Sequence, residues 1–162
     1  MRRSINTQGR NKMTVNAIPE GYNTITPYMI VNDSKKFIQF VENAFGGKLN
    51  HNMQADDGTT MHAEMQIGNS KIMISEASKK NPATPIMLYL YLEDVDGIYA
   101  KALAAGAMSV MAPNDTFYGD RNAGIQDHSG NKWWIAKHIR DVTEEELAIG
   151  AKKKQEELKQ AK

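Results

Sequence analysis

The sequence predicts an α+β protein built from two βαβββ modules in tandem, followed by a C-terminal helix. Three observations predict it. The hydrophobic pattern runs strand, helix, three strands, and then begins again. The two runs share a single offset of 61 residues, which joins Asp33 to Asp94, Gly58 to Gly119, Lys71 to Lys132 and Ile74 to Ile135. Finally, Phe117 to His138 reads as a hairpin with its turn at Ser129, Gly130 and Asn131. Its second arm carries Trp133 and Trp134 side by side, so one ring must go to each face of the sheet.

Composition narrows the class. A chain of 162 residues holds one domain with flanking segments. Basic and acidic residues number 20 and 19, so no global field draws the protein to nucleic acid or to a membrane surface. With no cysteine, disulfides and thiolate metal sites are excluded. Ten methionines, mostly in strand-like runs, fill irregular apolar gaps. No apolar run approaches the roughly 20 residues that cross a bilayer, and no signal-peptide core follows the first arginines. The expectation is a cytoplasmic protein.

Taken in order, residues 1–20 carry Arg2, Arg3, Arg10 and Lys12 with almost no large apolar residue to bury. They read as a disordered or leader segment, with Met13 as a natural beginning; a nucleic-acid-binding arm is the sharper reading of the same charges. Asn23 to Val31 reads as a strand, with Pro27 at an edge or bulge. Asn32, Asp33 and Ser34 form an N-cap cluster, and Phe37, Phe40, Val41, Ala44 and Phe45 then recur at helical spacing. Gly46 and Gly47 end the helix. Strands at about 48–54, 61–67 and 71–75 follow, turning at Asp57-Gly58 and Gly68-Asn69-Ser70.

Asn81 to Pro85 is a linker by composition. Ile86 to Leu92 is the next strand; Met87, Tyr89 and Tyr91 share one face, and Leu88, Leu90 and Leu92 the other. Glu93 and Asp94 open a second helix carrying Val95, Ile98, Tyr99, Ala102 and Leu103, which Gly106 closes. Met108 to Met111 and the hairpin complete the module. The predicted organisation is a domain over 21–140, with modules at 21–76 and 86–138, and a helical tail over 141–162. Thr143 with Glu146 makes a capping box for that tail, and Gly150 interrupts its sparse apolar residues. It reads either as a solvated helix or as a partner-binding one.

Several of these stretches resemble the vicinal oxygen chelate superfamily of glyoxalase, bleomycin-resistance and extradiol-dioxygenase proteins, and within it the PhnB-like, demethylubiquinone-methyltransferase-like branch. The matching residues are 28–33, 61–65, 92–96, 117–121 and 127–135, within a span from Gly21 to Asp141. The resemblance implies paired modules whose curved mixed sheets enclose a cleft, and a homodimer. It also implies metal ligands, His or Glu, at positions that fall here on Thr26, on Met73 or its neighbour Ile74, on Met87 and on Trp134. None of these is an ordinary ligand for Zn, Fe, Mn or Ni, so the expectation is no metal and no cofactor.

His62 and Glu64, two apart on a strand, share a face with Gln66. Facing a cleft they form an acid/base pair; facing solvent they are the wet side of a half-exposed strand. His51, His128 and His138 read as strand-end and turn residues. Asp120 and Arg121 either staple a loop by pairing with each other, or Arg121 offers a fork to a ligand carboxylate or phosphate. Tyr28, Tyr89, Tyr91, Tyr118 and Trp134 make an aromatic wall with polar tips.

No G-x-S-x-G elbow, phosphate-cradling loop or Rossmann fingerprint is present. The reading is a metal-free protein that binds a small aromatic or polar molecule. The alternative is a lyase, isomerase or dioxygenase-type enzyme using His62 and Glu64 or an atypical metal site.

Overall fold

A computed structural model describes residues 15–160. The elements run β1 (Tyr28–Val31), α1 (Ser34–Phe45), β2 (Lys48–Gln54), β3 (Thr60–Ile67), β4 (Ser70–Glu76), β5 (Met87–Tyr91), α2 (Val95–Ala104), β6 (Met108–Asp115), β7 (Asp120–Gln126), β8 (Lys132–His138) and α3 (Glu144–Gln160). Two four-stranded mixed sheets result, ordered β1-β4-β3-β2 and β5-β8-β7-β6. In each, the first strand lies parallel to the last, and the last three strands form an antiparallel meander. A parallel pair needs a long crossover, and the helix with its following hairpin supplies one in each module. The α+β class and the repeated topology agree with the sequence.

Side-chain alternation decides which face of each sheet is dry. In β3, Ala63, Met65 and Ile67 are buried, while His62, Glu64 and Gln66 stay partly exposed. Against the dry face of the first sheet lies α1, against the second α2, and the two helices pack on each other. The core therefore runs through both modules, from Met29, Phe37, Val41 and Ile74 to Ile125, Trp133 and Ile135. The Trp133 ring is fully buried, 4.8 Å from Phe45 and 6.2 Å from Phe37 between centroids.

The hairpin turn joins the modules. Asp127 is buried and accepts from the Ser129 and Asn131 backbone N–H groups, the Asn131 amide and Trp133 Nε1. Four donors satisfy a carboxylate that would otherwise be costly to bury. Ser129 Oγ and His128 Nε2 meet the Asn32 backbone N–H and carbonyl, and Asn131 Oδ1 accepts from Ile86 N–H. His128 is thus a structural turn residue.

Helix starts follow local chemistry. Asp33 caps α1 by accepting from Lys36 N–H, in a left-handed conformation at φ 52° that Asp tolerates better than bulkier residues. The carboxylate of Glu76 accepts from Asp33 and Ser34 N–H, placing negative charge at the helix N-terminus. Asp94 caps α2 through Gly97 N–H. Thr143 and Glu146 form the expected reciprocal capping box on α3.

Four boundaries differ from the sequence reading. The first strand begins at Tyr28, not Asn23. Residue 27 is Pro, which has no N–H to donate and marks where the ladder stops. β6 continues past Met111 to Asp115, through Pro113; it is an edge strand with irregular register there, where Pro is tolerated. Phe117 and Tyr118 lie in a turn before β7 rather than in the strand. Gly150 does not interrupt the tail helix, which runs through it. The reading of residues 1–20 as disordered or leader falls, for 1–14, outside the described residues.

Candidate functional site

The two tryptophans divide as alternation requires. Trp134 turns to the face opposite Trp133, across from Tyr89 on β5 and Gly124 on β7. Its Nε1 donates to Met87 Sδ at 3.1 Å. A Cβ at Gly124 would stand 2.9 Å from the indole ring, so the glycine makes the room in which the ring lies. A cavity of about 600 Å³ opens over this face, floored by Met87, Tyr89, Asn122 and Trp134 and walled by Met111, Phe117 and Tyr118. The far wall is α3, through Gly150, Lys153, Lys154 and Glu157.

Beside the floor lies a polar network around Asp120, which is only 4% exposed. The Tyr91 hydroxyl donates to Asp120 at 3.0 Å, the Tyr89 hydroxyl at 3.4 Å, and His138 Nδ1 lies 2.9 Å away. Asp141 meets the other nitrogen of His138 at 3.1 Å. Between two carboxylates the imidazolium is favoured, so His138 titrates above its ordinary value, chiefly through the Asp120 hydrogen bond. Its own hydrogen bond to Asp120 raises Tyr91, and burial pushes Tyr89 up to about 12, so both phenols stay protonated donors. Asn122 is buried and gives its amide N–H groups to the hydroxyl oxygens of Tyr89 and Tyr118.

On the first sheet a second group forms. His62 Nε2 lies 3.4 Å from Glu64 Oε1, and Tyr28 Oη lies 3.5 Å from His62 Nδ1. Tyr22 donates to Glu64, which lowers the carboxyl and pushes the phenol up to about 12. Lys71 Nζ sits 4.0 Å over the Tyr22 ring. His51 stacks loosely near His62, at 6.4 Å between centroids.

The structure thus brings Tyr89, Tyr91, Tyr118, Asp120 and Trp134 together on the second sheet, and Tyr28, His62 and Glu64 together on the first. It does not bring Arg121 to either group. Arg121 alternates with Asp120 and points to the helix side. There Nε and Nη2 grip Asp96 of α2, and Nη1 meets Asp115, each bond at 2.7 Å. Both sequence readings of this pair are corrected. Asp120 and Arg121 do not staple each other, and the guanidinium is spent on two carboxylates rather than facing the cleft.

Sequence reasoning took His138 for a strand-end or turn residue and Phe117 for a strand residue, and it assigned no site role to Asn122 or to the α3 residues. Counting outward from Ser129 in both directions places Asp120 opposite His138, which is the observed register. No local signal could have brought α3 over the cavity.

The metal positions do not suit a metal. A thioether and an indole N–H donor face each other at Met87 and Trp134, and the Thr26 hydroxyl donates to the Asn23 carbonyl. Met73 lies cross-strand from Tyr28 and Glu64 and offers only another thioether. Among the described residues, no group of three His, Cys, Asp or Glu side chains is placed to hold an ion.

Comparison with known proteins bears on the same fold. Two uncharacterized proteins of Mycobacterium tuberculosis, from strains H37Rv and CDC 1551, are each 28% identical over 151 residues, covering 86% of both chains. A further uncharacterized protein, of Mycobacterium bovis, is 27% identical over 146 residues, covering 83% of this chain and 93% of its own. The crystal structure of TioX from Micromonospora sp. ML1 superposes with a TM-score of 0.62 at 23% identity, over 72% of this chain and 99% of that one. A glyoxalase/bleomycin resistance protein/dioxygenase family enzyme from Burkholderia phytofirmans PsJN gives 0.58 at 19% identity, over 69% and 95%. The family model of the glyoxalase/bleomycin resistance protein/dioxygenase superfamily matches residues 21–135, and the chain belongs to that superfamily.

Proposed function

We propose that this chain is a metal-free small-molecule-binding protein that takes a flat, largely apolar ligand against Trp134. One observation carries the reading: the cavity of about 600 Å³ over the second sheet, a volume suited to a drug-sized molecule and lined by aromatic and methionine side chains. The chemistry of Met87 and Trp134, which offer no metal donor where the resemblance would put one, supports the metal-free part. Aromatic stacking supplies the affinity, and the Asp120 network holds the Tyr89 ring in place beneath it.

Acid/base catalysis is the second reading, favoured by the Tyr28–His62–Glu64 row on the first sheet. The cavity stands over the other sheet, which is why binding is preferred. The test is a thermal-shift screen of metabolites and antibiotics, where a ligand at 100 times its dissociation constant adds about 2.7 kcal/mol. Trp134→Ala is expected to weaken a hit at least tenfold, about 1.4 kcal/mol. A confirmed ligand that binds Trp134→Ala as tightly as the parent overturns the assignment, and one metal per chain in untagged protein overturns its metal-free part.

A further inference from the structure

We infer that the free edge of β5 is a second binding site, which takes a short, uncharged, extended peptide by adding it to the sheet as a strand. The site is separate from the cavity over Trp134 and does not depend on that reading.

Sheet order leaves four strands at an edge among the described residues: β1, β2, β5 and β6. An edge strand offers a row of backbone N–H and C=O groups to any other chain, and folded proteins blunt such edges. Three of the four are blunted here. The linker between the modules runs along β1, where Thr84 N–H donates to the Ile30 carbonyl. β2 slips register against β3 twice, between Leu49 and His51 and between Met53 and Gln54. β6 slips twice against β7 and carries Pro113. β5 has none of these devices. It pairs with β8 in unbroken register from Met87 to Tyr91, and its sequence, MLYLY, holds no charge and no proline.

The hydrogen bonds fix which groups are on offer. Lys132 N–H donates to the Ile86 carbonyl, and Leu92 N–H donates to the Ala136 carbonyl. In a parallel ladder, alternate residues face one neighbour. Ile86, Leu88, Leu90 and Leu92 therefore face β8, while Met87, Tyr89 and Tyr91 turn their N–H and C=O groups outward.

A groove runs along that edge. A cavity of about 480 Å³ touches every residue from Leu88 to Leu92, on both side-chain faces, as only a space along the edge can. Pro27 and the start of β4 at Ser70 to Ile72 stand across from it. A slender segment reaches the edge there, where the whole sheet of a second copy would meet that wall. On the helix side the lining is Ile67, Ile72, Leu88 and Leu90, and a charge placed among them would be buried without a partner. Lys71, the one charged lining residue, already sits over the Tyr22 ring at 4.0 Å and within the field of Glu64. The occupant is therefore a strand with apolar side chains at alternate positions, held by backbone bonds to Met87, Tyr89 and Tyr91.

The test uses the full chain labelled with nitrogen-15 and the blocked peptide acetyl-Thr-Leu-Thr-Leu-Thr-amide. Amide hydrogen exchange is read residue by residue. At ten times its dissociation constant the peptide is expected to slow exchange at Met87, Tyr89 and Tyr91 about tenfold. The Leu88 and Leu90 amides, already bonded to β8, exchange slowly with and without it. A peptide with lysine in place of each leucine keeps the backbone and is expected to bind at least tenfold more weakly. No binding of the leucine peptide up to about 1 mM, or binding that leaves the three outward amides unprotected, overturns the inference. Equal affinity for the lysine peptide overturns the uncharged class of occupant. Protection of those amides without peptide, lost on dilution, makes the occupant a second copy and overturns the peptide assignment.

Discussion

A buried carboxylate with an imidazole and two phenols around it is the most consequential arrangement at the scale of single residues. Asp120 accepts from Tyr91 and Tyr89 and meets His138, whose other side faces Asp141. The folded state therefore holds the His138 proton more tightly than the unfolded chain does. A raised pKa contributes stability that is fully present below the unfolded value, about 6.5, and is lost as pH rises through the folded value. The stability advantage of the parent over His138→Gln is thus expected to be largest below about pH 6.5 and to shrink above it. Thermal melts of both proteins across pH 5.5–9 check this; an advantage that grows with pH would sink it. Asp120→Ala removes the shared acceptor and is expected to cost about 1–3 kcal/mol by denaturant titration. The sequence reading treated Asp120 and Arg121 as a loop pair or as cleft neighbours, whereas both lie on β7, where a strand sends neighbours to opposite faces. The partners of Arg121 were not legible either. Asp96 and Asp115 lie 25 and 6 residues away; the pairing of β6 with β7 sets Asp115 opposite Arg121, and the packing of α2 on the sheet brings Asp96 to the same guanidinium.

At the scale of elements, α3 and the turn before β7 explain each other. Read alone, a helix with few apolar residues and a central Gly looks like a solvated tail, because glycine weakens helices and nothing local repays it. The repayment is tertiary: the missing side chain of Gly150 is where the Phe117 ring sits. In an exposed helix, Gly→Ala stabilises by about 1 kcal/mol. Here the added methyl meets the ring, and overpacking costs about 1–3 kcal/mol. Gly150→Ala is therefore expected to be neutral or destabilising, and the same change in a Phe117→Ala background to recover the gain. A double-mutant cycle measures the coupling directly. If Gly150→Ala stabilises equally in both backgrounds, α3 does not rest on Phe117 and the far wall of the cavity is lost. The capping box of this helix was legible because Thr143 and Glu146 interact within one turn; its docking was not, because the contact spans more than thirty residues.

Over the whole molecule, the twofold βαβββ pattern was legible because each module repeats its periodicities, caps and turns at the same offset. The extent of apolar surface left open was less so. The faces turned away from the helices carry Tyr28 and Met53 on the first sheet and Met87 and Tyr91 on the second, the last two 65% exposed. β6 adds Met108 and Val110 at a sheet edge, also exposed. Single exposed apolar residues need no explanation, but rows of them along two sheet faces are what an interface covers. A homodimer that buries about 1,200–2,000 Å² would cover much of this surface. We expect the protein to run as a dimer in light scattering at tens of micromolar. Met53 lies cross-strand from His62, on the open face of the first sheet, so Met53→Glu introduces a charge there without touching the core. It is expected to shift the protein toward monomer while far-ultraviolet circular dichroism stays unchanged. A parent protein that is monomeric at these concentrations would show that both faces meet solvent, and that the cavity over Trp134 is complete within one chain.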